Sequence, residues 1–196
     1  MIYLMRHGST SYNLMGRMLG QTDIPLCETG IKNVRSIAPK MRDFGIRLIY
    51  CSNYIRAIQT ANIISSVIGV NVTMRESLKE RHLGVLDGKS KDSIRWCGFI
   101  QKLGERNFTP ENGERVDNCL ERFSGEMKRI VNFHLDEEDV LVISHGGIIA
   151  LFMRYVMHVN NKLSFLDNCA FHILYTDRKG SFHVSKLNVN LILGKP

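Results

Sequence analysis

Two short apolar runs in this chain end in the same way. Residues 2–5 (Ile2, Tyr3, Leu4, Met5) run into Arg6, His7, Gly8, Ser9 and Thr10, and residues 140–143 run into Ser144, His145, Gly146 and Gly147. Arg6 offers a planar fork of donors suited to phosphate, His7 a nucleophilic or proton-transferring ring, Gly8 room for backbone approach, and Thr10 a hydroxyl and an amide. Attack of His7 on a phosphate is the chemistry these types suggest. Uncharged apolar runs are typical of buried parallel strands, and such sheets bind ligands beyond their carboxyl ends. If the two strands are parallel neighbours, both imidazoles emerge at one edge. Arg56 falls in the first turn of the helix after a further apolar run, 47–51, so it turns back to the same edge, where a helix N-terminus favours an anion. A lone histidine is more often a packing residue and a lone helix arginine is usually solvated; two of each at one edge favour a phosphate site.

The elements that must position these groups are those of an α/β protein. After a turn-rich stretch 13–30, apolar Val34, Ile37, Ala38 and Met41 predict a helix over 31–44, kinked or broken at Pro39. Ser52 or Asn53 is the expected cap of a helix reaching Ile68, buried through Ile55, Ile58, Ala61, Ile64 and Ile68. Strands are predicted at 70–74, 140–144, 170–175 and 182–187, the last two joined by a turn of Asp177, Arg178, Lys179 and Gly180. From 76 to 138 strand and helix stop alternating, which predicts a helical cap insertion with helices near 91–103 and 114–134. A helix to about residue 158 follows His145. Together these give a three-layer α/β/α sandwich with a mostly parallel central sheet, in one domain over 1–196.

Composition narrows the function classes. With 44% hydrophobic and 23% charged residues among 196, the chain is an ordinary globular protein able to bury one core. No stretch approaches the roughly 20 apolar residues of a membrane span, and Arg6 comes too early for a signal peptide, so a cytoplasmic protein with no membrane partner is expected. Five scattered cysteines without a CxxC pair suggest free thiols, neither a disulfide framework nor a zinc site. The formal charge of +7 is spread along the chain without a nucleic-acid motif, which favours a small anionic substrate over nucleic acid, although charge for solubility alone is nearly as good a reading. Homodimerisation stays open.

The chain resembles the histidine phosphatase superfamily, also called phosphoglycerate mutase-like, over almost its whole length. The signature RHG stands as Arg6, His7, Gly8, with Thr10 and Asn13 at the expected offsets, and Arg17, Gly20, Asp23, Pro25, Leu26 and Gly30 continue the next loop. Ser52, Arg56, Ala57, Gln59, Thr60 and Ala61 match the helix of the second arginine. Leu78, Glu80, Gly84 and Gly88 match the loop of the acid, Pro110, Gly113 and Glu114 a further motif, and Ser144 to Gly147 the second histidine. RHG alone is weak; five motifs in order are specific.

The resemblance implies two-step transfer through a phosphohistidine on His7. Arg6, Arg56 and His145 would clamp the phosphoryl oxygens, with Thr10, Asn13, Gly146 and the backbone near Gly20 adding phosphate contacts. Glu80 would protonate the leaving alkoxide and then activate water; Asp87 and Glu114 are the rival acids. No cofactor and no metal is implied. Leu19, Leu86, Asp87 and Arg115 depart from common family residues on the substrate side. The short interval from Glu80 to His145, with Leu83 where mutases carry a tyrosine, favours a phosphatase of small phosphorylated metabolites, similar to the α-ribazole or broad-specificity type. The alternatives are a cofactor-dependent phosphoglycerate mutase and a non-catalytic phospholigand-binding protein. Of the other histidines, only His82 lies close enough to Glu80 to suggest a role.

Overall fold

Residues alternate sides along a strand, and here that alternation builds two cores. Ile2 and Leu4 of β1 (Ile2–Arg6) and Val140 and Val142 of β4 (Asp139–Ser144) enter one apolar cluster, while Tyr3, Met5, Leu141 and Ile143 enter the other. The computed structural model describes residues 1–96, 102–133, 138–159, 165–177 and 180–192. Among these, β2 (Ile46–Cys51), β3 (Asn71–Met74), β5 (Phe171–Thr176) and β6 (Phe182–Val189) complete one sheet in the order β3-β2-β4-β1-β5-β6. β3, β2, β4 and β1 are mutually parallel, and β5 runs antiparallel to both its neighbours, so the sheet is mostly parallel as predicted.

The helices are α1 (Ser11–Leu14), α2 (Glu28–Ile37), α3 (Ile55–Ile68), α4 (Lys91–Trp96), α5 (Val116–Phe133) and α6 (Gly146–Tyr155). α2 and α3 bury Val34, Ile37, Ala57, Ala61 and Ile64 on one face of the sheet; α5 and α6 bury Phe123, Met127, Ile149 and Phe152 on the other. This is the three-layer α/β/α sandwich. The apolar stripe of α5 joins the cluster that holds Ile2, Leu4, Val140 and Val142, with Phe123 edge-on to Phe152 of α6.

Local differences have local causes. α2 begins at Glu28, three residues early, because Cys27 Sγ accepts the Gly30 amide as its cap. Pro39 ends that helix, and the chain continues as a 3-10 turn (Ala38–Phe44) closed by Gly45 in the left-handed region. α3 starts after Tyr54 with no cap from its own segment; Asp23 Oδ1, from a distant loop, accepts the Ile55 amide at 2.8 Å instead of Ser52 or Asn53. α6 stops at Tyr155, short of the expected 158. His134, Cys97, Arg178, Lys179 and the 97–101 part of the predicted 91–103 helix lie outside the described residues.

Positions β1 and β4 share matter most. They pair Arg6 with Ser144, and the His7 amide donates to the Ser144 carbonyl at 3.0 Å, so His7 and His145 leave the sheet side by side.

Two glycine substitutions test this packing with opposite signs. A Cβ on Gly30 would lie 2.1 Å from the Ser9 carbonyl oxygen, whereas one on Gly125, inside α5, meets nothing within 4 Å. Gly125→Ala is expected to stabilise by roughly 0.5–1 kcal/mol through helix propensity, and Gly30→Ala to destabilise by about 1–3 kcal/mol. Urea midpoints measure both; a stabilised Gly30→Ala would contradict the close approach of α2 to the His7 loop.

Candidate active site

His7 is 2% exposed, and its Nδ1 lies 2.7 Å from the carbonyl oxygen of Gly8. A carbonyl only accepts, so Nδ1 carries the proton and Nε2 presents a lone pair. The loop that holds this ring is pinned at three points: the His7 amide on Ser144, the Gly8 amide on Thr60 Oγ1 at 3.0 Å, and the His7 carbonyl on Asn168 Nδ2 at 2.9 Å. Burial, then the charges of Arg56 and Arg6, push the His7 pKa well below its ordinary value, against the Gly8 bond that supports the proton. The ring is neutral, with its Nε2 lone pair free to react.

His145 is fully buried, with its ring centroid 5.1 Å from that of His7. Arg56 Nε donates to His145 Nδ1 at 3.2 Å. A guanidinium can only donate, so Nδ1 is the acceptor and the neutral His145 ring carries its proton on Nε2; this N–H is buried without a partner among the described residues. Burial first, then Arg56 and His7, depress the His145 pKa as well. Arg56 is 0% exposed; Nη1 donates to the Thr22 carbonyl at 2.8 Å and Nη2 to the Gly20 carbonyl at 3.0 Å, leaving two N–H groups. Tyr54 stacks over its guanidinium at 4.8 Å. Arg6 Nη1 donates to the Leu166 carbonyl at 2.7 Å, while its Nε is a second buried donor without a partner among the described residues. A Cβ on Gly146 would sit 3.1 Å from that Nε, so only glycine leaves Arg6 this close to the start of α6. Buried donors from Arg6 and His145 at the end of the sheet where His7 emerges have the chemistry to take up a tetrahedral anion.

Glu80 reaches the same end of the sheet. Its Oε2 accepts the Gly147 amide at 2.9 Å, and Oε1 accepts the Ile148 amide at 2.8 Å and the Arg81 amide at 2.9 Å. It thereby caps α6, whose N-cap residue His145 supplies no side-chain bond. The rival acids are held elsewhere. Glu114 forks with Arg122, at 2.8 and 2.9 Å, and that fork outweighs burial to hold its carboxyl below the usual range. Asp87 packs against Gly20 and lies 3.6 Å from His82 Nε2, with its pKa raised chiefly by burial.

Thr10 and Asn13 are committed mainly to each other. Thr10 caps α1, and Asn13 Oδ1 accepts from the Thr10 amide and hydroxyl, which leaves the Asn13 amide nitrogen as the edge available to a ligand. The Gly20 carbonyl accepts from Arg56 Nη2, so the loop at Gly20 also orients that guanidinium. Sequence reasoning missed Asn168, Tyr54, Gln21 and Arg122. Tyr54 stands two residues before Arg56 and was open to notice; the other three have no local pattern that marks them. Among the described residues no three His, Cys, Asp or Glu side chains gather as metal ligands, and no helix is long and apolar enough to cross a membrane.

The model of the histidine phosphatase superfamily (branch 1) matches residues 2–190. A probable phosphoglycerate mutase GpmB from Photorhabdus laumondii is 29% identical over 177 residues, covering 86% of this chain and 81% of the relative. Among solved structures, a mycobacterial glucosyl-3-phosphoglycerate phosphatase in complex with VO3 superposes with a TM-score of 0.85 at 25% identity, covering 96% of this chain and 97% of that one. A structure of a putative alpha-ribazole-5'-P phosphatase from Escherichia coli shares the fold, with a TM-score of 0.80 at 21% identity over 96% of this chain and 95% of that one.

Two buried neutral histidines carry a pH signature. Unfolded, each binds a proton near pH 6.5; folded, each resists it until well below that value, so the unfolded state holds more protons. Stability therefore falls as pH drops below about 6.5. In phosphate-free buffer the Tm is expected to decline between about pH 6.5 and 5, with a shallower slope for His145→Gln. A wild-type Tm that stays level across that window would show that these rings are not held neutral.

Proposed function

Because the chain belongs to the histidine phosphatase superfamily (branch 1), a family of phosphoryl-transfer enzymes, we propose that it is a phosphoric monoester hydrolase acting on small phosphorylated metabolites. The observation that carries this reading is the His7 ring, held with its proton on the Gly8 side and its lone pair among buried donors that lack a partner. His7 Nε2 attacks phosphorus and forms an N–P bond as the ester P–O bond breaks. Arg6, Arg56 and the His145 Nε2–H take up the charge that develops on the phosphoryl oxygens. These donors are already oriented before substrate arrives, so little reorganisation remains for the chemical step.

Glu80 delivers a proton to the leaving alkoxide. It then takes one from the water that attacks phosphorus, breaks the N–P bond and releases inorganic phosphate. Oε2 accepts one amide where Oε1 accepts two, so Oε2 is the oxygen with a lone pair to spare for that proton. The Arg122 fork on Glu114 supports Glu80 over that rival. Cys27, Cys51, Cys119 and Cys169 are free thiols, which supports the cytoplasm as the place of action.

The name of the Photorhabdus relative favours a second reading, in which the phosphoryl group returns from His7 to another hydroxyl of phosphoglycerate. Incubation with 3-phosphoglycerate separates the two: the hydrolase releases phosphate, and sustained isomerisation without release would replace it by the mutase. For the hydrolase, Glu80→Gln should lower kcat on an alkyl phosphate by about 100-fold or more and on p-nitrophenyl phosphate by roughly tenfold, because a phenoxide leaves with less need of a proton. Equal losses would remove Glu80 from the acid role. His7→Ala should abolish acid-labile phosphate labelling of the protein; labelling that persists would place the nucleophile elsewhere.

A further inference from the structure

Four consecutive backbone carbonyls lead up to the Glu80 side chain, and each is held by a side chain from another part of the fold. The Ser77 and Lys79 carbonyls accept from Arg122 Nη1 at 2.9 and 2.7 Å, and the Leu78 carbonyl accepts from Ser144 Oγ at 2.7 Å. The Glu80 carbonyl accepts from both Arg122 Nη2 and Gln21 Nε2 at 2.9 Å. Arg122, on α5, thus makes three of these five bonds.

Its remaining N–H groups grip Glu114, whose Oε2 also accepts the His82 amide at 3.3 Å. The pair therefore brackets Glu80, holding residues 77, 79 and 80 on one side and 82 on the other. Both side chains are only 17% exposed. The Glu80 carboxyl meanwhile bonds the amides of Gly147 and Ile148, so the placement of its main chain and of α6 together set where its oxygens lie.

We propose that Arg122 and Glu114 form a positioning pair for Glu80: the guanidinium fixes the main chain on which the acid is carried, and Glu114 fixes the guanidinium. The inference rests on the reading of Glu80 as acid and base. Its chemistry depends on the fork. Five donors in one plane meet five oxygen acceptors here, and a lysine ammonium, with three donors on one nitrogen, cannot span them. An ion pair that served stability alone would not need three of its donors on the segment that carries a catalytic carboxyl. Neither residue has a described hydrogen bond to Arg6, His7, Arg56 or His145; Arg122 reaches His145 through its charge, which Arg122→Lys retains, so a loss in that variant reports on the fork and Glu80.

The experiment compares Arg122→Lys, Glu114→Gln, Glu80→Gln and the double variant Glu80→Gln/Arg122→Lys in the whole chain, with glycerol 3-phosphate and p-nitrophenyl phosphate as substrates. A displaced acid costs about a hundredfold in rate for about 1 Å. Arg122→Lys is therefore expected to lower kcat on glycerol 3-phosphate by about a hundredfold and on the aryl ester by less than about tenfold, with KM unchanged. In the Glu80→Gln background it should add no more than about twofold, because the acid it positions is gone. Losses that are equal on the two esters, or that multiply in the double variant, would overturn the proposal. Should Arg122→Lys fail to fold, Glu114→Gln, which keeps the shape and loses the charge, must show the same ester split in weaker form, and equal losses there would overturn it equally. If Glu80→Gln alone shows no ester split, the acid reading fails; non-additivity between Glu80 and Arg122 still decides whether the pair positions that residue.

Discussion

The hydrogen bond from Arg56 to His145 is the interaction on which the site depends. A guanidinium with no exposed surface at the rim of a sheet must find acceptors, and here they are a neutral imidazole nitrogen and two loop carbonyls. None of them is an anion. Among the described residues neither Arg56 nor Arg6 forms a direct ion pair with a carboxylate, and Glu80 acts on both charges only from a distance, so much of their field remains where the two rings meet. Burial first, and then that field, hold His7 and His145 neutral, and an anion bound there would relieve the field. On the proposed reading, the neutral ring that attacks and the affinity for an anion come from one arrangement of burial and charge.

Many residues that touch no reacting group serve to keep this arrangement in place. Thr60, one turn after Arg56 on α3, accepts the Gly8 amide and donates to the Arg56 carbonyl, tying the nucleophile loop to the helix of the second arginine. Gln59 receives the Leu26 amide, and Asp23 caps α3 from the loop whose carbonyls face Arg56. Ser9 receives the Cys27 amide, and Gly30 brings α2 against that same residue. The site is thus assembled from the segments that follow β1, β2, β3 and β4, and several side chains fasten them together. Local rigidity is what such pre-organised charge requires.

Much of this was open to inspection in the chain itself. Apolar runs 2–5 and 140–143 could only be buried strands, and the histidine after each marked the rim. The stripe of α3 placed Arg56 in its first turn, facing that rim. Pro39 ended α2 where its missing amide required. Other features had no local signal. α5 reads as an amphipathic helix whether it caps the sheet or covers its face, and only packing chose the face. The cap of α3 could not be found beside it, because the acceptor is Asp23, 32 residues away. Arg122 looks like any helix arginine until the 77–80 carbonyls are seen around it.

Residue type and short-range spacing by themselves determined the strand and helix alternation, the pairs of histidines and arginines, and the acid candidates, because these depend on side-chain chemistry and on periods of two and 3.6 residues. The tertiary structure alone decided which nitrogen of each ring carries the proton, which of Glu80 and Glu114 stands free of an arginine fork, and which side chains hold the carbonyls of residues 77–80. Each of those depends on a partner far along the chain. A hydrogen bond between distant residues leaves no trace in the spacing of either one.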